Sequence, residues 1–80
     1  MAHVYVLHSL KNGKRYIGST TKDPEHRLKE HNQGNTTWTG KNKPFKLVYS
    51  EAFDSLAEAH KRERYFKSGS GREWLQRRSL

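Results

Sequence analysis

Lys14-Arg15-Tyr16-Ile17-Gly18-Ser19-Thr20-Thr21-Lys22-Asp23-Pro24-Glu25-His26-Arg27-Leu28-Lys29-Glu30-His31-Asn32 holds a strand end, a turn and a helix start in one short run. The β-forming pair Tyr16-Ile17 stops at Gly18, and a polar loop follows. Asp23 is a good N-cap and Pro24 suits the first helical position. Arg27 and His31, four apart, share a face of that helix. A phenol, a guanidinium and an imidazole thus come near one glycine. Such a grouping suits chemistry on an anion better than it suits a core.

Upstream, Val4 to Leu10 is nearly continuous in apolar character, as in a central strand covered on both faces. Asn12-Gly13 signals a hairpin, so the strand from Lys14 to Ile17 pairs antiparallel with the first. Tyr5 and Tyr16 then approach each other on the sheet. The helix from Pro24 to Gln33, with Gly34 as its C-cap, has Leu28 as its one large apolar anchor. Arg27 and His31 flank that anchor at the edge of the packed face.

Downstream, Asn35 to Lys43 reads as a polar loop around Trp38, and Lys46 to Phe53 as a third strand. Ser55 with Glu58 forms a capping box opening a helix to Lys67, and Ser70 with Glu73 forms another, opening a short last helix. The expected fold is α+β: a small three-stranded antiparallel sheet flanked by helices, in the order β-β-α-β-α-α.

Eighty residues read as a single domain, 1–80, with a thin core. There is no cysteine, hence no disulfide framework or thiolate zinc site. The longest apolar run, Val4 to Leu7, is too short for a membrane span or a secretory segment. A cytoplasmic protein with no membrane partner is expected. Sixteen Lys and Arg against eight Asp and Glu give a net charge of +8, an electrostatic footprint suited to a polyanion. The basic set Lys14, Arg15, Lys22, Lys41, Lys43, Arg62, Arg64, Lys67 and Arg72 is read as the phosphate-contacting surface, the alternative being a solvated face. Trp38 is either a loop residue folded over the core or a base-stacking platform.

One residue breaks the pattern of the second long helix. Its apolar stripe is Leu56, Ala59, Glu63 and Phe66, and an unpaired carboxylate there would cost several kcal/mol. Glu63 therefore pairs with a cation such as Arg27, Arg62 or Arg64, binds a metal, or lies at a cleft mouth. Arg27 and His31 have a solvated helix face as their bland alternative. For Tyr5 and Tyr16 it is ordinary sheet packing.

Taken together, these residues resemble the GIY-YIG nuclease domain. Tyr16-Ile17-Gly18 matches the second half of its signature. In His3-Val4-Tyr5 the tyrosine of the first half is kept, with His3 in place of the glycine. Arg27 and His31 stand where the family carries an arginine and, in many members, a histidine. Glu63 matches the metal-binding glutamate. Pro44 to Tyr49 and Lys67 to Leu75 are similar to the small stand-alone bacterial members; the family also includes the N-terminal nuclease of UvrC and SLX-type endonucleases.

The resemblance implies a metal-dependent endonuclease acting on DNA phosphodiesters, branched or single-stranded DNA included, in DNA repair or processing. One Mg²⁺ or Mn²⁺ ion would be held by Glu63. Arg27 would grip the phosphate, Tyr16 would activate the water with Tyr5 orienting it or taking its place, and His31 would relay the proton. The competing classes are a non-catalytic basic nucleic-acid-binding module and a catalytic subunit directed by a targeting protein.

Overall fold

The computed structural model describes residues 1–34 and 37–80, the side chains of 37–39 excepted. Strands β1 (Ala2–Ser9), β2 (Arg15–Thr20) and β3 (Phe45–Phe53) form one antiparallel sheet ordered β2-β1-β3. Among the described residues four helices accompany it: α1 (Pro24–Asn32), α2 (Thr37–Asn42), α3 (Leu56–Lys67) and α4 (Gly69–Arg77). This is the α+β sheet expected. The segment read as a polar loop carries the short helix α2; Trp38 lies in it, but its side chain is outside the described residues.

β1 is central because both of its faces are apolar. Tyr5 and Leu7 pack on one side with Phe45, Tyr16, Leu28 and Leu47, the side covered by α1. Val4 and Val6 pack on the other with Ile17, Phe66 and Leu75, the side covered by α3 and α4. The turn to β2 is closed by Gly13 at φ 74°, in the left-handed region that glycine enters without a Cβ penalty.

β3 reaches both sides by a bulge. Val6 pairs with Tyr49 but Leu7 pairs with Leu47, leaving Val48 extra. A strict period of two would put Phe45, Leu47, Tyr49 and Phe53 on one face. The extra residue turns Phe45 and Leu47 toward α1, and Tyr49 and Phe53 toward α3 and α4.

Asp23 caps α1 by accepting from the Glu25 amide, and Ser55 caps α3 by accepting from the Glu58 amide, as expected. Three local expectations are corrected. Leu28 is only partly buried; the buried residues of α1 are Pro24 and His31, because the imidazole reaches a buried partner on β1. Leu56, expected in the packed stripe of α3, is exposed in the first turn, and packing begins at Ala59. Ser68, not Ser70, caps α4: one extended residue ends α3 and starts α4, its Oγ accepting from the Gly71 amide.

Candidate active site at the edge strand

Gly18 is the hinge of the site. It pairs with Tyr5 across β1 and β2. A Cβ at Gly18 would stand 2.6 Å from the Tyr5 hydroxyl and 3.1 Å from Tyr16 Cε1. Only glycine lets the two phenols close over the backbone there. The Tyr5 and Tyr16 ring centroids are 6.2 Å apart, and the Tyr16 ring is 4.5 Å from that of His31.

Tyr5 is almost fully buried, and its hydroxyl is 3.0 Å from His31 Nε2. Burial pushes the Tyr5 phenol up to about 12; the Arg27 guanidinium opposes that shift and does not overcome it. Burial likewise lowers the His31 pKa, with Arg27 adding to the effect and Glu30 working against it. The imidazole is therefore neutral at physiological pH. Arg27 interacts with the Tyr5 hydroxyl and donates from Nη1 to Glu30 at 3.1 Å. Tyr5, Tyr16, Arg27 and His31 thus form one cluster beneath α1.

This cluster holds unspent hydrogen-bonding capacity. Arg27 Nε and His31 Nδ1 are buried without a partner, as is Nδ1 of His3 on the same face of β1. Buried polar atoms are nearly always partnered, so these three are exceptions.

Glu63 approaches from the other side of the sheet. Ser19 donates to Glu63 Oε1 at 2.6 Å, and Lys67 donates to Oε2 at 2.7 Å. The carboxylate is neither unpaired nor bound to Arg27, Arg62 or Arg64 by any bond among the described residues. Burial alone would raise its pKa, but the bonds from Lys67 and Ser19 outweigh that and hold it below the usual carboxylate range. Ser19 follows Gly18 on β2, so the carboxylate is tied to one face of this edge strand and the phenols pack on the other. A cleft of about 440 Å³ lined by Ala57, His60, Lys61, Glu63 and Arg64 continues from the carboxylate along α3.

Of the basic residues, Lys14, Lys41, Lys43, Arg64 and Arg72 are exposed. Lys22 is exposed but pairs with Glu30 at 3.5 Å. Arg15 donates to the Leu80 carbonyl. Arg62 donates to Glu51 at 2.9 Å and lies over the rings of Tyr65, Phe66 and Trp74. The last two guanidiniums are thereby engaged in holding the fold.

Ser19, Glu30 and Glu51 were missed as partners of Glu63, Arg27 and Arg62. The Arg27–Glu30 and Glu63–Lys67 spacings, three and four residues, were legible as helix pairs. Nothing local links Ser19 to a residue 44 positions away.

A single carboxylate fits a divalent ion that keeps several waters, as Mg²⁺ does. Each Glu63 oxygen retains acceptor capacity beyond the one bond it takes. Among the described residues no three His, Cys, Asp or Glu stand together as a closed cage. Nor is any described helix long and apolar enough to cross a membrane.

Known proteins share much of this sequence. The chain is 45% identical over 67 residues to a UPF0213 protein of Streptococcus agalactiae, covering 82% of this chain and 74% of that one. It is 42% identical over 64 residues to a UPF0213 protein of Halobacterium salinarum, covering 79% and 80%. It is 39% identical over 77 residues to one of Clostridium perfringens, covering 95% and 81%. No solved structure matches significantly. The model of the GIY-YIG catalytic domain matches residues 1–77, so the chain belongs to the GIY-YIG nuclease domain family.

Proposed function

We propose that this protein is a metal-dependent endonuclease that hydrolyses DNA phosphodiester bonds. The observation that carries the reading is the gathering of Tyr5, Tyr16, Arg27 and His31 around Gly18, with Glu63 tied to the next residue of the same edge strand. An ordinary core would not bury an arginine nitrogen and an imidazole nitrogen without partners.

Glu63 would hold one Mg²⁺ or Mn²⁺. When bound, that ion supplies Lewis-acid polarisation of the phosphate and stabilises the leaving oxygen. Ser19 fixes the carboxylate through Oε1. Arg27, whose side chain is partly exposed, binds the non-bridging phosphate oxygens and offsets the charge gained in the pentacoordinate state. Tyr16, the half-exposed phenol on the edge strand, is the base: its oxygen takes the proton of the attacking water as its own proton passes to the His31 imidazole. Tyr5 does not fill that role, since burial makes its proton hard to remove. It positions instead, its hydroxyl aligned by neutral His31. The imidazole against the Tyr16 ring is placed to pass the proton on. The exposed Lys14, Lys41, Lys43, Arg64 and Arg72 carry the duplex by its phosphates.

The test is nicking of supercoiled plasmid. Wild type is expected to nick in Mg²⁺ and to stop in EDTA. Glu63→Gln and Arg27→Ala are each expected to lower the rate by about 10²-fold or more while DNA binding survives. Salt-sensitive binding with no nicking in any divalent ion would leave only a basic binding module. Nicking that appears only on adding a second protein would favour a subunit directed by a targeting partner.

A further inference from the structure

The cation already sitting on Glu63 has a use. Lys67 Nζ is 2.7 Å from Glu63 Oε2, one helical turn along α3, and the lysine side chain is 53% exposed while that of the glutamate is 20% exposed. The two carboxylate oxygens are shared between unlike partners. Ser19 donates a neutral hydroxyl to Oε1 from a strand of the sheet. Lys67 brings a full positive charge to Oε2 on a flexible stem that solvent reaches.

A divalent ion approaching that carboxylate meets the ammonium first. The hydroxyl does not compete, because it carries no charge and leaves the remaining lone pairs free. The ammonium does, because it occupies the side of the carboxylate open to solvent and repels a second cation. It can also leave at little cost, since a half-exposed ion pair is weak and the lysine stem rotates freely.

Building on the nuclease reading above, we propose that Lys67 is a placeholder for the metal. In the metal-free protein it neutralises Glu63 and keeps the carboxylate aimed at the β2 edge, and the incoming ion displaces it from Oε2. Ser19 stays in place in both states and keeps the carboxylate from turning away. Metal affinity at this site is therefore set by competition with an internal cation as well as by the ligand itself.

The experiment is Mn²⁺ titration of the purified protein followed by the electron paramagnetic resonance of free Mn²⁺, without DNA. Wild type, Lys67→Met, Lys67→Arg and Glu63→Gln are compared, each checked for native circular dichroism. Lys67→Met is expected to bind Mn²⁺ roughly fivefold more tightly than wild type, the factor by which such an ion pair is favoured. Lys67→Arg, which keeps the charge, is expected to bind like wild type, and Glu63→Gln to lose the site. If Lys67→Met and wild type bind equally, and Glu63→Gln does not bind, the placeholder is overturned and the metal site stands. If neither wild type nor Lys67→Met shows binding that Glu63→Gln abolishes, the metal reading fails with it. Should Lys67→Met bind more weakly than wild type, lysine supports the ion and the proposal is wrong.

Discussion

At the scale of single residues, the least ordinary pair is Tyr5 with His31. Both are buried, and they touch through one hydrogen bond. Their proton affinities move in opposite directions, and the consequences for stability follow in sign. The Tyr5 pKa rises on folding from 10.0 to about 12, so its contribution is present below pH 10 and is lost as pH climbs toward 12. Two units correspond to about 2–3 kcal/mol. The His31 pKa falls on folding from 6.5, so its contribution is present above pH 6.5 and is lost as pH falls below it. Urea denaturation across pH is expected to show both losses. Tyr5→Phe should flatten the alkaline limb while costing about 1–2 kcal/mol at neutral pH through the unpartnered imidazole. His31→Gln should flatten the acid limb. An unchanged pH profile in both variants would mean that neither group is held as described.

At the scale of elements, the joint between α3 and α4 is the tightest point. A Cβ at Gly71 would lie 1.8 Å from the Tyr65 carbonyl oxygen, a backbone atom that cannot step aside. Gly71→Ala is expected to cost about 3 kcal/mol and to loosen α4, carrying Trp74 and Leu75 off the core. Tryptophan emission and thermal melting report this; a native melt would contradict it. The sequence made the elements legible wherever the signal is local. Asp23-Pro24 and Ser55 with Glu58 named two helix starts, and Asn12-Gly13 named the hairpin. It misled where a tertiary contact decides. Ser70 with Glu73 read as the cap, yet the helix starts two residues earlier on Ser68, where Gly71 passes close over Tyr65. The bulge at Val48 leaves no trace in a run of apolar residues, since the flip of face depends on pairing with β1.

The same division holds for the site. Tyr16, Arg27 and His31 lie within one strand-turn-helix unit, and their meeting could be read from spacing. Glu63 stood out because it interrupted an apolar stripe, although that stripe is shorter than its spacing suggests and the carboxylate is paired. What holds Glu63 was only half legible: Lys67 is a helix neighbour, whereas Ser19 belongs to another element.

At the scale of the molecule, the charge of +8 is not spread evenly over free cations. Arg15 and Arg62 are engaged with the Leu80 carbonyl and Glu51, while Arg64 and Arg72 stand exposed. Arg64→Ala and Arg72→Ala are each expected to reduce the slope of log affinity for DNA against log salt by about one. Arg62→Ala is expected to leave that slope unchanged and instead lower stability by about 1–2 kcal/mol, since it leaves Glu51 with the Tyr49 hydroxyl but without its cation and uncovers three rings. A reduced slope in Arg62→Ala with full stability would reverse the assignment.

In the proposed reaction two half-sites, one on each side of the sheet, act as one around the edge of β2. Anomalous diffraction from a crystal soaked in Mn²⁺ tests this most directly. The expected result is a single strong peak against the Glu63 carboxylate. A peak elsewhere, or none at Glu63 at saturating Mn²⁺, would contradict it.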